Sequence, residues 1–391
     1  MVLDKQKITV LGGGIGGLAA GCALAQRGAQ VTVLEQAVAI TEVGAGLQIG
    51  PNGFAVMRAL GAGEALAQCS VRARGMCLLN GVTAAPVFEL DFQRFAADQH
   101  YYFVHRADLV NVLADAAQNA GVEIKLSQQV TDVTLEGDTA QVTMAAGEVL
   151  MPDVLIGADG LHSKLRVAMN GDRAPFFTKQ VAWRAVIPAV GNEPAVAKVY
   201  MGAGRHLVVY PLRGGEMLNI VAVQERGEWA EEGWNFQDDP ENLRRVFADF
   251  GAEVQALLAR VQTVYLWGLF RHPVAANWHQ GRAAILGDAA HPTLPFMAQG
   301  AVMALEDAWV LADALEKADT IEDGMSAYQS RRHARASKVI DAASKNARNY
   351  HLPAGPMRLA AHTALRLGST IAPSMALKKF DWIYGHDVTQ T

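Results

Sequence analysis

The sequence predicts an α/β fold: a parallel-sheet unit at its start, a sheet-rich insertion in its middle and helices at its end. Three observations carry this prediction. An apolar strand, a glycine loop, a helix and a second strand follow one another between Lys7 and Glu35. Two later apolar strands, Val154-Leu155-Ile156 and Ala283-Ala284-Ile285-Leu286, each run into a turn holding Gly and Asp. Between about Phe176 and Phe270 the pattern changes to alternating strands, which marks a segment of different architecture.

In the first unit, Ile8, Val10 and Leu11 lead into Gly12-Gly13-Gly14-Ile15-Gly16-Gly17, with the spacing G-x-G-x-x-G. A helical pattern continues through Leu18, Ala20 and Leu24 to Gly28, and the strand Val31-Thr32-Val33-Leu34 ends at Glu35, 18 residues after Gly17 (35 − 17). In a βαβ unit Gly12 permits the tight turn, Gly14 lets backbone approach a pyrophosphate, and Gly17 lets the helix pack closely. Glu35 is placed to accept bonds from a ribose hydroxyl. The helix N-terminus supplies free N–H groups and partial positive charge. A dinucleotide site follows, although the motif alone does not separate FAD from a nicotinamide nucleotide.

The elements after it read in order. Glu42 to Gly53 is a glycine-rich loop that opens a helix, and residues 74–97 are strand-like. A short strand at Tyr101–Val104 precedes a helix from His105-Arg106 to about Ala120. Strands follow at Val122–Leu126, Val130–Leu135 and Gln141–Met144, the last two forming a hairpin at Gly137-Asp138. The insertion carries strands around Val181–Ile187, Val199–Met201, Leu207–Tyr210, Leu218–Val223 and Val264–Phe270, with a helix near Glu241–Phe250. A long helix covers Gln299 to Leu315, and the remainder is mostly helical. The expected division gives 1–73, 98–175 and 275–391 to the nucleotide-binding unit and C-terminal helices, and 74–97 and 176–274 to the inserted sheet.

Composition excludes several partners. The 391 residues allow two or three domains. A formal net charge of −5 offers no global attraction to nucleic acid or an anionic membrane, so an anionic substrate needs local positive groups. Cys22, Cys69 and Cys77 have no metal-ligand spacing, and their odd number suits a reducing compartment. No apolar run is long enough to span a bilayer, so no integral membrane contact is expected. No charged leader precedes an apolar run, and the cytoplasm is the expected location.

Three motifs stand in order: the glycine loop, Gly157-Ala158-Asp159-Gly160-Leu161-His162-Ser163-Lys164-Leu165-Arg166, and Gly287-Asp288-Ala289-Ala290-His291-Pro292. Together they resemble the FAD-dependent aromatic hydroxylases, single-component flavoprotein monooxygenases of the p-hydroxybenzoate hydroxylase type, over nearly the whole chain. Pro295-Phe296-Met297-Ala298-Gln299-Gly300-Ala301, Ala304-Leu305-Glu306-Asp307-Ala308, Gly204-Arg205-His206 through Arg213, and Trp382-Ile383-Tyr384-Gly385-His386-Asp387 narrow the resemblance. They are similar to the branch of salicylate hydroxylase, 3-hydroxybenzoate 6-hydroxylase and 6-hydroxynicotinate 3-monooxygenase.

The resemblance implies a Rossmann-like FAD-binding domain of the GR2 type with an inserted substrate domain. It implies FAD as cofactor, NADH or NADPH as co-substrate, O₂, and a small aromatic acid. Cofactor contacts then fall on Gly12, Gly14, Ile15, Gly16, Gly17, Glu35, Gln48, Arg106, Val130, Asp159, Asp288, Pro295, Gly300 and Ala301. Arg166 is carried over with Asp159 as a further cofactor contact. Homodimers are common in that family, and no residue here identifies an interface.

Such an enzyme reduces FAD with NAD(P)H, traps O₂ as a C4a-hydroperoxide and passes one oxygen to an electron-rich ring. A neutral phenol, with a pKa of about 10, is a poor nucleophile at neutral pH, and a positioned base raises its electron density. His206, on an apolar strand of the insertion, is the expected base. Tyr210 projects to the same strand face and can bond substrate. Gln299 is expected to orient substrate or the peroxide terminus, and Gln48 to approach from the other side. Pro295 lies by the flavin ring and substrate. Arg184 is either a carboxylate binder or one half of a buried ion pair. His291 and His105 are expected to be structural. Two other functions fit the same fold: an FAD-dependent dehydrogenase or reductase without oxygen insertion, and a non-enzymatic flavin-binding regulator.

Overall fold

A computed structural model describes residues 2–40, 45–191, 193–228, 236–371 and 373–390 of the chain. Its central sheet runs in the order His279–Gln280, Ala283–Ile285, Leu155–Gly157, Lys7–Leu11, Gln30–Leu34 and Glu123–Lys125. All of these pairs are parallel except the His279–Gln280 edge. Strands buried on both faces need continuous apolar runs, and every residue of Leu155–Gly157 and Ala283–Ile285 is buried.

The helix Ile15–Ala25 explains how tightly this layer is built. It is apolar on every side, and it packs between the sheet and the helices Arg106–Asn119 and Gly300–Lys317. Small residues permit that approach. A Cβ on Gly17 would sit 1.9 Å from the carbonyl oxygen of Gly12, and one on Gly12 would sit 2.5 Å from that of Ala158. Gly12 also has φ +97°, which favours glycine.

The inserted sheet has eight strands, Gln237–Asp238, Val264–Arg271, Phe176–Pro188, Met217–Glu225, Arg205–Leu212, Val196–Gly202, Gly75–Asn80 and Pro86–Asp91 in spatial order. Only the pairing of Val196–Gly202 with Gly75–Asn80 is parallel. Strand period fixes what each face carries. Trp183, Leu207, Val209, Leu218 and Ile220 pack on Leu243, Val254 and Leu258 of the covering helices and on Phe247 and Phe250 in the turn between them. The residues between them, including Arg184, His206, Val208, Tyr210 and Val221, face a cavity shared with the parallel sheet.

Local details depart from the sequence reading. The loop Glu42–Gly53 contains a strand, Gly46–Ile49, paired antiparallel with Tyr102–His105. Its Glu42–Gly44 portion lies outside the described residues. The helix expected over Glu241–Phe250 is two, Pro240–Val246 and Ala252–Ala259, because the chain turns at Phe247–Phe250 and extends at Gly251. Among the described residues, no helix is long and apolar enough to cross a membrane.

Candidate active site

A cavity of about 1580 Å³ runs between the two sheets. At one end it is lined by Gly12, Gly13, Gly14, Ile15, Gly16, Glu35, Val130 and Asp159. The helix Ile15–Ala25 starts there with no side-chain cap and no acid in its first turn, so its N–H groups are left for a ligand. A Cβ on Gly14 would meet nothing within 4 Å. That glycine therefore borders open space, whereas Gly17 is off the cavity wall and serves helix packing. Glu35 closes the loop from below: Oε2 accepts from the Gly13 N–H at 2.6 Å and Oε1 from that of Ala37 at 2.8 Å.

Two further strand ends reach the same space. Asp159 accepts from the Lys164 N–H through Oδ2 at 2.9 Å, while its buried Oδ1 has no partner among the described residues. Burial pushes its carboxyl pKa up, opposed by hydrogen bonds from Ser163 and nearby backbone. Asp288 projects from the turn after Ala283–Ile285 into the cavity. Its side chain is reachable by solvent yet lies deep within the molecule, so loss of bulk water raises its pKa, against the pull of His291 and Arg106. Arg106 also lines the cavity, and its N–H donates to Ala45 at 2.9 Å.

The turn carrying Asp288 is held from behind by a buried ionic network. Asp307 Oδ2 accepts from the Gly287 N–H at 3.0 Å and from His291 Nε2 at 2.5 Å, and Oδ1 accepts from Arg332 Nε at 2.7 Å. Burial opposes ionisation of Asp307, but His291 and Arg332 outweigh it and hold the carboxyl at about 2. Arg332 and Arg335 donate to Glu306 at 2.6 and 2.8 Å. His291 thus has the structural place expected of it. Arg166, carried over as a cofactor contact, instead donates to the carbonyls of Ala289, Ala290 and Pro273 and does not line the cavity.

At the other end Arg184, His206 and Tyr210 come from one face of the inserted sheet. Pro295, Gly300 and Ala301 stand at the cavity wall with Gln48. The Arg184 guanidinium lies 4.2 Å from the Trp267 ring centroid, and burial lowers its pKa to about 10. Tyr210 packs at a tilt on Phe103, ring centroids 5.0 Å apart, and shares a hydrogen bond with Gln48, whose Oε1 accepts from the Tyr101 hydroxyl at 2.8 Å. His206 is buried, and its Nδ1 lies 2.7 Å from Nε2 of His351. Burial, then the His351 ring, drive its pKa well below the ordinary histidine value.

Gln299 is a correction. It begins the helix Gly300–Lys317, but its side chain turns inward, where Oε1 accepts from Asn52 Nδ2 at 3.0 Å, and it does not line the cavity. A helix-start position fixes the backbone and leaves the rotamer to the packing around it. Sequence reasoning also missed Tyr101, Trp267, Tyr350, His351 and Tyr384. Tyr384 stands in a segment that carries the family resemblance but is given no role there; each of the others is an ordinary aromatic or His in its own segment, and nothing local marks it.

The family described as FAD binding domain matches residues 5–343. The chain belongs to this FAD-binding family. Like other FAD-binding proteins of that description it takes FAD, and the open space over Gly14, the uncapped helix start and the unpaired Asp159 oxygen fit the group. The 3-amino-4-hydroxybenzoate 2-monooxygenase PtmB3 of Streptomyces platensis is 32% identical, over 98% of this chain and 97% of its own. The 3-hydroxybenzoate 6-hydroxylase of Polaromonas naphthalenivorans is 34% identical, over 97% and 96%. Among solved structures, Klebsiella pneumoniae HpxO complexed with FAD and uric acid superposes with a TM-score of 0.81 at 25% identity, covering 95% of each chain.

Proposed function

We propose that this FAD-binding protein is a monooxygenase that hydroxylates a small phenolic or hydroxypyridine carboxylic acid, using NAD(P)H and O₂. The observation that carries the reading is the cluster on one sheet face: a buried neutral His206, a half-buried cationic Arg184 and a buried Tyr210, open to one cavity with the glycine loop. Two relatives whose names specify hydroxybenzoate oxidation, matched over nearly all of the chain, support the substrate class.

FAD, when bound, supplies the electron and oxygen chemistry. The chain's residues bind, orient and deprotonate. Arg184 receives the substrate carboxylate, replacing its lost hydration with a charge-assisted pair. His206 takes the phenolic proton through Nε2, the ring nitrogen not engaged by His351. Tyr210 and Gln48 hydrogen-bond the ring substituents, and Trp267, Leu294 and Phe296 exclude water from the reacting face.

The test is a purified, yellow holoprotein offered salicylate, 3-hydroxybenzoate, 6-hydroxynicotinate and 3-amino-4-hydroxybenzoate with NADH or NADPH. Stimulated nicotinamide oxidation and oxygen-18 from labelled O₂ in the product are expected. A colourless protein, or turnover without label in the product, would overturn the reading in favour of a binding or dehydrogenase role.

A further inference from the structure

His206 does not end at the cavity wall. Its Nδ1 meets His351 Nε2 at 2.7 Å, and His351 Nδ1 meets Glu225 Oε1 at 2.9 Å. The His351 side chain is 1% exposed and the Glu225 side chain 52%, so three side chains span from the closed site to bulk water. Their positions are set by separate elements. His206 and Glu225 lie on adjacent strands, and His351 follows the helix Ile321–Tyr350. The His351 carbonyl accepts from the Gly204 N–H at 3.2 Å, which fixes this chain end beside the His206 strand.

We propose that His351 and Glu225 form a proton exit for the substrate hydroxyl and set the tautomer of the base. The inference rests on His206 being that base. An ionised carboxylate only accepts, so His351 must carry its proton on Nδ1 and present a lone pair on Nε2. His206 must then donate from Nδ1, and its own lone pair is left on Nε2 for the cavity. The transfer balances. The phenolic proton moves to His206 Nε2 as the O–H bond breaks. The Nδ1 proton of His206 passes to His351 Nε2, and the Nδ1 proton of His351 passes to Glu225 and then to water. No charge remains on a buried imidazole, which burial strongly disfavours. The charged and titratable neighbours acting on the pair are each other, Glu225 on His351, and the Tyr350 ring 5.1 Å from His206. His351 and Glu225 act through His206 and are positioning residues.

Glu225→Gln keeps an acceptor for His351 but takes no proton, and His351→Gln removes the middle carrier. The experiment uses FAD-loaded enzyme and whichever of the four panel acids is hydroxylated fastest. Both variants are expected to lower turnover at pH 7 roughly tenfold, part of the general-base effect, with FAD content unchanged. The deficit should shrink as pH rises toward about 10, where the phenol ionises unaided. In nitrogen-15 histidine-labelled holoenzyme, His206 and His351 should both appear as Nδ1–H tautomers, and Glu225→Gln should retain them. Wild-type turnover in both variants, a deficit independent of pH, or Nε2–H tautomers would overturn the relay. If His351→Gln does not fold, Glu225→Gln, altered at an exposed carboxylate, decides alone. His206→Ala separates the two readings: wild-type turnover there removes the base itself, whereas impaired turnover beside normal Glu225→Gln removes only the relay.

Discussion

At the scale of the residue, the buried imidazole gives the sharpest expectations. His206→Ala should lower turnover by roughly 10²- to 10⁴-fold with little change in FAD content, because the ring stands on the inserted sheet, away from the glycine loop. Its folded pKa lies well below the ordinary value. The basic form is therefore present at neutral pH, and turnover should hold until the pH falls well under about 6.5. The linkage has the same sign. Below about 6.5 the unfolded histidine binds a proton that the folded one does not, so this site costs stability as pH falls. Urea midpoints for wild type and His206→Phe between pH 7.5 and 5.5 should show the wild type losing more. Arg184→Met should raise KM for carboxylate substrates roughly 10- to 100-fold, the range of a charge-assisted hydrogen bond. An equal rise for the matching phenol without a carboxylate would remove that role.

At the scale of the element, two glycines of one motif, Gly14 before the helix and Gly17 within it, should behave differently. Gly17→Ala places a Cβ 1.9 Å from the Gly12 carbonyl, so the strand and helix must part and the apoprotein should melt markedly lower. Gly14→Ala meets nothing within 4 Å, so the apoprotein should melt as wild type while FAD titration shows weaker binding. Calorimetry of both apoproteins checks the contrast, and a large loss of apo stability in Gly14→Ala would show that the loop is closed without its ligand. These positions were legible because turn, spacing and period all act within a few residues. His206 and Tyr210 could be paired from the sequence because strand alternation puts them on one face, whereas Arg184 joins them from another strand through the sheet register. His351 was not legible, because it meets His206 across 145 residues of chain. Gln299 was misread because its partner, Asn52, comes from another helix.

At the scale of the molecule, the buried network of Glu306, Asp307, Arg332 and Arg335 ties the helices Gly300–Lys317 and Ile321–Tyr350 to the Asp288 turn. Arg335 also donates to the Trp382 and Ile383 carbonyls of the last long helix. Arg332→Met would leave two carboxylates buried without their main counter-charge, and about 3–5 kcal/mol of stability should be lost. Chemical denaturation measures this directly. A smaller loss would mean that water or a shift of Arg335 neutralises them.

The two sheets have separate apolar cores, yet the cavity needs both. Between them lies the short strand Gly46–Ile49, whose Gly46 N–H donates to Asn219 Oδ1 on the inserted sheet at 2.8 Å. A side chain on Gly46 would press within 2.7 Å of Asn219 and Tyr210. This contact aligns the sheet face that carries His206 and Tyr210 with the strand that carries Gln48, so its loosening need not unfold anything. Asn219→Ala should leave nicotinamide oxidation running while more of the oxygen escapes as hydrogen peroxide, measured as the ratio of peroxide to hydroxylated product. Fidelity of oxygen delivery would then be a matter of how firmly two separately packed layers are clamped, and heat should spoil the coupling before it spoils the fold.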